Sequence, residues 1–379
     1  MTAIITIIII ILTELMRNEW SEENDFNKKM GVLMKEKISK AIVTGGAGFI
    51  GSHLVEALVS HGVETYVIDD LSTGSISNIS HLLDKQKGSN AKSGIGRLHL
   101  IIGDMRNIHT LLNHVTDIDV IFHEAAIANV KKSIDDPIGV NDINVVCTLK
   151  VLDFALKRDI PKFLFASSAA VYGEIPTTVS SASEDMFCVP MSPYGASKAA
   201  SEAYLRSFEK AYGIQTTILR YANVYGPRQS FSNYSGVIPI FINDIFRCKM
   251  PIIYGDGFQV RDFVHVLDIV YACLLAAETD GVSGETFNVG SGMATSINHL
   301  LITLSRIIFP GSEPLHAQYL PSKAGDMRKG IMSIEKIKRK LDYRPSVSLE
   351  SGLSDLVRYY GNIKKNGFSS EKMAEETFA

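Results

Sequence analysis

The chain has 379 residues, 46% of them hydrophobic and 21% charged, with a formal net charge of −3. At about 100–200 residues per domain this length allows one large domain or two to three modest ones, and an apolar fraction of this size excludes a disordered or collagen-like chain. The near-neutral balance gives no electrostatic footprint for nucleic acid, and the widely separated Cys147, Cys188, Cys248 and Cys273 suit a reducing, cytoplasmic setting better than a disulfide framework or a zinc site.

In chain order, residues 3–12 read AIITIIIIIL, with polar sequence following through Lys29. Such a run falls short of the roughly 18–20 apolar residues that span a bilayer, and no positive charge precedes it as in a signal peptide. Residues 1–36 are therefore read as a non-catalytic extension, with the folded unit beginning near Met34 and no membrane partner. From residue 38 the pattern is regular. Apolar runs at 38–44, 64–68, 98–102, 120–123, 163–167 and 216–220 read as buried strands, and 50–60, 144–157 and 194–212 carry apolar residues at helical spacing. Continuous apolar strands separated by helices specify an α/β fold: a doubly wound parallel sheet of the Rossmann type, expected over 37–220. Beyond Tyr221 strands become sparse while 236–247, 266–278, 297–308 and 349–360 keep helical spacing. Residues 221–361 are expected to form mainly a smaller C-terminal α/β substrate lobe, a return to the first domain being left open, and 362–379 a polar tail.

The sharpest local motif is Gly45-Gly46-Ala47-Gly48-Phe49-Ile50-Gly51, between a β-branched strand and an amphipathic helix. Glycines there tighten the turn, let the backbone approach a pyrophosphate and let the helix pack on the sheet, while the helix N-terminus faces the anion. Gly45, Gly48, Phe49, Ile50 and Gly51 are thus candidate cofactor contacts. Asp69 closes the second strand, 18 residues after Gly51, where a carboxylate accepts from the adenosine ribose hydroxyls; no arginine between Gly62 and Asn78 could host a 2′-phosphate. NAD is favoured over NADP. Downstream, Tyr194 and Lys198 stand four apart on one helix face. A free phenol titrates near 10, and an adjacent ammonium together with a nicotinamide cation favours the phenolate, making Tyr194 a candidate base. Lys198 is also placed to hold the nicotinamide ribose. The preceding strand ends Ser167-Ser168 and supplies a hydroxyl to complete the set. The ten histidines contain no HExxH; His123 and His265 are read as structural, and no metal site is expected.

These residues, with Gly103-Asp104-Met105-Arg106-Asn107, the run from Arg220 to Arg228, Val260-Arg261-Asp262-Phe263-Val264-His265-Val266 and Phe287-Asn288-Val289-Gly290, resemble the extended short-chain dehydrogenase/reductases. Within them the chain is similar to the NAD-dependent epimerase/dehydratase family, in particular the UDP-glucose 4-epimerase type. The resemblance runs from about Lys37 to Tyr360. It implies that Asp104 and Met105 face the adenine and that Ala125 and Asn144 line the cofactor cleft. It further implies that Asn223 and Arg261 hold the substrate diphosphate, that Ser168 bonds the sugar 4-hydroxyl, and that Asp326 lies near the uridine ribose. Two departures stand out: Lys323 where a second phosphate arginine is expected, and Cys147 where a glycine is usual. A homodimer through the Tyr194 helix and the helix after Asn144 is also implied.

Related enzymes place Asp-Glu after the central hydroxyl residue for dehydration, or keep a glutamate there for decarboxylation. Here those positions are Ala169 and Ala170, leaving no obvious base at C5. The expected reaction is reversible C4 epimerisation of a UDP-hexose. The family position that gates the sugar 2-substituent falls on Gly330, which leaves room for an N-acetyl group. A UDP-glucuronate 4-epimerase or a nucleotide-sugar reductase is the enzyme alternative, and a non-catalytic dinucleotide sensor the alternative of another class.

Overall fold

A computed structural model describes residues 38–87, 95–176, 178–230, 236–322 and 327–365. The isoleucine-rich extension, Lys323 and Asp326 lie outside the described residues. The chain opens with strand β1 (Lys40–Thr44), helix α1 (Phe49–Ser60), β2 (Glu64–Asp69), β3 (Leu98–Ile102) and β4 (Val120–His123). A π turn (Asp142–Val146) leads into α2 (Cys147–Lys157), followed by β5 (Lys162–Ser168), α3 (Pro193–Tyr212) and β6 (Gln215–Tyr221).

Seven strands form one parallel sheet in the order β3-β2-β1-β4-β5-β6-β11, the last being Thr286–Val289. The strands are apolar throughout because both faces are covered. Val43, Val67, Phe122, Leu164 and Leu219 pack toward α1 and a later helix. Their alternating neighbours Ile42, Ile68, Ile121, Phe163, Phe165 and Ile218 pack toward α2 and α3. Strand order reverses between β1 and β4, which opens a crevice at their C-terminal ends.

After β6 come the short β7 (Asn223–Tyr225), α4 (Val237–Phe246), β8 (Ile252–Tyr254), β9 (Val260–Arg261) and β10 (Phe263–His265). Helix α5 (Val266–Glu278) and β11 then return to the central sheet, α5 burying Val270, Cys273 and Leu274 in the same core as α1. There follow β12 (Thr295–Ser296), α6 (Ile297–Ile308), β13 (Gln318–Leu320), β14 (Lys329–Gly330), a short helix (Glu335–Leu341) and α7 (Leu349–Lys365). Helices α4, α6 and α7 enclose a separate core around Phe241, Leu300, Leu304, Leu353 and Val357. Among the described residues no helix is long and apolar enough to cross a membrane.

Candidate active site

The glycine loop is shaped by contacts that admit no side chain. Gly45 has φ +68° and follows β1 directly; a Cβ there would stand 2.7 Å from the Ala125 Cα. At Gly51 a Cβ would meet the Gly45 carbonyl oxygen at 2.2 Å, so the first turn of α1 lies flat on the loop. Gly48 is the N-cap of α1 without a side-chain cap, and Phe49 and Ile50 stand half-buried behind it. Asp69, at the end of β2, accepts the Ala47 N–H on Oδ2 and the Leu71 N–H on Oδ1, both at 2.9 Å. Burial pushes its carboxyl up, and these two N–H groups oppose the rise. A carboxylate so placed has lone pairs left over, and the loop beside it is a cradle that any Cβ would fill. That geometry suits a dinucleotide.

Across the crevice, Ser192 caps α3 by accepting the Gly195 N–H at 3.1 Å, and Pro193 occupies its first turn. This fixes the start of the helix that carries Tyr194 and Lys198. Both are buried, and Ser168, at the end of β5, lies near enough to the Tyr194 phenol to pull its titration down. Lys198 Nζ donates to the Ala166 carbonyl at 2.6 Å and lies 4.8 Å over the Phe165 ring. Burial pulls Lys198 down to about 8, with Glu124 and Glu202 opposing. For the Tyr194 phenol, burial acts upward and Ser168 moderates the rise. The Lys198 ammonium is directed at a carbonyl on β5, and desolvation of the phenol dominates.

Ser168, Tyr194, Lys198, the glycine loop and Asp69 thus meet at one crevice. Ala125 joins them, abutting Gly45 and donating its N–H to Thr44 Oγ1 at 3.3 Å. Asn144 does not line the crevice as expected. It is 2% exposed, and its amide bonds both backbone groups of Ile127 and, at 3.0 Å, the Ser197 hydroxyl. A buried amide needs all its partners, so Asn144 braces the Ala125–Ile127 segment against α3 from beneath. Met105 likewise turns inward among Ile68 and Ile108, because a long apolar side chain gains more from the core than from the rim. Asp104 caps the turn Met105–Asn107 and binds Arg106, with Nε to Oδ2 at 2.8 Å. Cys147 is fully buried at the start of α2.

His123 is structural. Thr148 donates its hydroxyl to the Asn144 carbonyl and so accepts from His123 Nε2; Nδ1 then accepts from Thr44. Burial pulls the ring down to about 3, leaving it neutral. Among the described residues no cluster of His, Cys, Asp and Glu could hold a metal ion.

The second lobe brings Asn223, Arg261 and Gly330 together through backbone pairing. β7 runs parallel to β10, and β9 pairs with β12 and β14 so that Arg261 faces Gly330 and Thr295. Asp262 joins the two sheets: its carbonyl accepts the Asn223 N–H at 2.9 Å, and its N–H donates to the Gly330 carbonyl at 3.0 Å. Its buried carboxylate accepts from Ser291 N, Ser291 Oγ and Gly292 N at 2.6–3.0 Å. The sequence reading did not single out Asp262, although it stands inside the quoted Val260–Val266 run.

Two carboxylates, the buried Glu202 and the half-buried Glu124, were missed as well. Glu202 lies two turns beyond Tyr194 on α3, grips Arg220 at 2.9 and 2.7 Å and accepts from Ser167 at 2.6 Å. It thereby latches α3 to β5 and β6, and the repeat Tyr194, Lys198, Glu202 along one helix face was the available signal. Glu124 follows β4 and accepts the Tyr221 hydroxyl at 2.8 Å.

Residues 41–290 match the NAD dependent epimerase/dehydratase family. The chain is 34% identical over 324 residues to a UDP-glucose 4-epimerase of Mycolicibacterium smegmatis, covering 85% of this chain and 99% of the relative. It is 32% identical over 340 residues to a UDP-N-acetyl-alpha-D-glucosaminuronate decarboxylase of Bacillus cytotoxicus, covering 86% and 99% of the two chains. Among solved structures, the UDP-N-acetylglucosamine 4-epimerase of Methanobrevibacter ruminantium, in complex with UDP-N-acetylmuramic acid, superposes with a TM-score of 0.76 at 35% identity, over 86% of this chain and 98% of that one. On its crevice, its sheet order and these matches, the chain belongs to the NAD-dependent epimerase/dehydratase family.

Proposed function

We propose that the protein catalyses reversible C4 epimerisation of a UDP-hexose with NAD as resident cofactor. The observation that carries this reading is the turn after Ser168. Ser168, Tyr194 and Lys198 converge at the end of β5, while the following turn, Ala169–Val171, brings alanines and no carboxylate to the crevice. Gly45, Gly48, Phe49, Ile50, Gly51 and Asp69 would hold the dinucleotide, with Lys198 on the nicotinamide ribose and Asp104, Met105 and Ala125 bordering the adenine side and cleft through backbone. Bound there, NAD supplies reversible hydride acceptance, and its nicotinamide charge favours the Tyr194 phenolate. Ser168 bonds the sugar 4-hydroxyl, and Tyr194 takes that proton and later returns it. Arg261 and Asn223 hold the diphosphate, for which a planar guanidinium is suited, and Asp326 is assigned to the uridine ribose. Without a C5 base, the 4-keto sugar turns over within the site and is reduced on its other face, with no net redox change.

Purified protein should interconvert UDP-glucose with UDP-galactose, or their N-acetyl forms, as followed by NMR, with no net change in NADH absorbance. No interconversion of any of these pairs refutes the reading; stoichiometric NADH consumption indicates a reductase instead.

Gly330 supports acceptance of the N-acetyl forms. We also infer a homodimer. Ala203 and Tyr204 are exposed on α3, and Ile134 and Ile138, 62% and 81% exposed, lie on the short helices packed beside it. Sedimentation equilibrium at the mass of two chains is the expected result.

A further inference from the structure

The Lys198 ammonium sits where two strand ends meet. Its Nζ is held on Ala166 of β5, and β4 pairs with β5 in parallel with His123 opposite Phe165. One step further along the same register sets Glu124 beside Ala166, one strand spacing away. Side chains alternate across a strand, and His123 points to the α2 face, against Thr148. Glu124 therefore leaves toward the α5 face. There its Oε1 accepts the Tyr221 hydroxyl at 2.8 Å, with Cys273 Sγ of α5 at 3.9 Å. Its Oε2 bonds to no described residue.

Glu124 and Glu202 both act on Lys198 electrostatically and favour its charged form. Glu202, from α3 itself, is already committed to Arg220 and Ser167. The Phe165 ring and the neutral His123, which also lie near Lys198, bring no charge. We propose that Glu124 is a positioning residue for the Tyr194–Lys198 pair, the carboxylate that keeps the Lys198 ammonium charged at the edge of the crevice. Its part in turnover rests on the reading of Tyr194 and Lys198 given above; its action on Lys198 does not.

The two groups are matched in their titration. Burial pushes Glu124 up to about 7 against the pull of Tyr221 and Lys198, and pulls Lys198 down to about 8 against the push of Glu124 and Glu202. Glu124 is therefore ionised over the range in which Lys198 would otherwise lose its proton. Below about pH 7 Glu124 is itself protonated, and its acid form is nearly isosteric with glutamine.

Glu124→Gln keeps an oxygen for the Tyr221 hydroxyl and removes only the charge. A titration of 13Cε-labelled lysine by NMR, with the Lys198 signal assigned by its loss in Lys198→Met, reads the effect without turnover. The Lys198 midpoint should fall by about one pH unit in Glu124→Gln. Tyr221→Phe, which takes away the donor that favours the carboxylate, should lower it by less, and serves if the first variant folds poorly. In turnover, the alkaline limb of kcat should move to lower pH by the same amount in Glu124→Gln, with kcat at pH 6 and the KM for the sugar nucleotide unchanged. Equal Lys198 midpoints in wild type and both variants overturn the proposal, as does a kcat lowered by the same factor at pH 6 and pH 9. A shifted midpoint in a protein that epimerises none of the UDP-sugars would support the role of Glu124 on Lys198 and refute the proposed reaction.

Discussion

The proposed cofactor side and the proposed substrate side are built on different length scales. On the cofactor side, the glycine loop spans Gly45 to Gly51, and Tyr194 and Lys198 sit one turn apart on a single capped helix. On the substrate side, Asn223, Arg261 and Gly330 come from three strands of two or three residues each, far apart in sequence. They are held in mutual register by the backbone and carboxylate of Asp262. A contiguous motif on a regular element carries its own geometry. A site assembled from short strands depends on whatever ties them together, so the two sides should fail in different ways.

The largest effect is expected on the cofactor side. Tyr194→Phe should lower kcat by about 10²–10⁴-fold while NAD stays bound, as measured by turnover and by cofactor content after gel filtration; loss of NAD would blur the distinction by showing that the phenol also holds the cofactor. Glu202→Ala tests how far that side relies on a distant partner. It strands Arg220, which is 2% exposed, as an unpaired buried cation. Denaturant unfolding should show a loss of about 3–5 kcal/mol; a loss below about 1 kcal/mol would mean that α3 is held by its packing alone.

Asp262→Ala should act on the substrate side alone. Removing the acceptor for Ser291 and Gly292 should cost about 1–3 kcal/mol of stability and raise the KM for the sugar nucleotide, with NAD binding untouched. An unchanged KM would show that Asn223 and Arg261 hold their places without it. The smallest effect concerns Gly330. A Cβ there would stand 3.1 Å from Arg261 Cδ, so any substitution presses on that arginine. Gly330→Ala should weaken all four UDP-sugars alike by a few-fold, and Gly330→Tyr should in addition suppress the N-acetyl pair. Equal losses on both sugar classes in the Tyr variant would show that the position does not gate the 2-substituent.

The same division of scale governs what could be read from the chain beforehand. Periodicity located the six strands from Lys40 to Tyr221 and the helices Phe49–Ser60, Cys147–Lys157 and Pro193–Tyr212 to within a few residues, because each run is long enough to show its period; the shorter helices Ser80–Lys87, Ile108–Leu111, Val130–Asp135 and Pro137–Asn141 went unread. The glycine loop and the Tyr194–Lys198 spacing were legible because contiguous spacing encodes their geometry, whereas Ser168 was singled out from its Ser167 neighbour by the family resemblance. The strands β7, β9, β12 and β14 were not, since two or three residues carry no period. Asn144 was expected to line the cofactor cleft and Met105 to face the adenine, yet both side chains turn inward and are buried, because motif position does not say which way a side chain turns.

Local order along the chain was therefore sufficient to specify a doubly wound α/β unit, a dinucleotide loop and a tyrosine–lysine pair. Only tertiary structure brings Glu124, 74 residues from Lys198 in sequence, to the strand end beside Ala166, through the parallel pairing of β4 with β5 and the packing of α3 across them; Glu202 follows Lys198 by one turn of the same helix. Electrostatic coupling depends on distance in space and on desolvation, and neither quantity exists until the sheet is assembled.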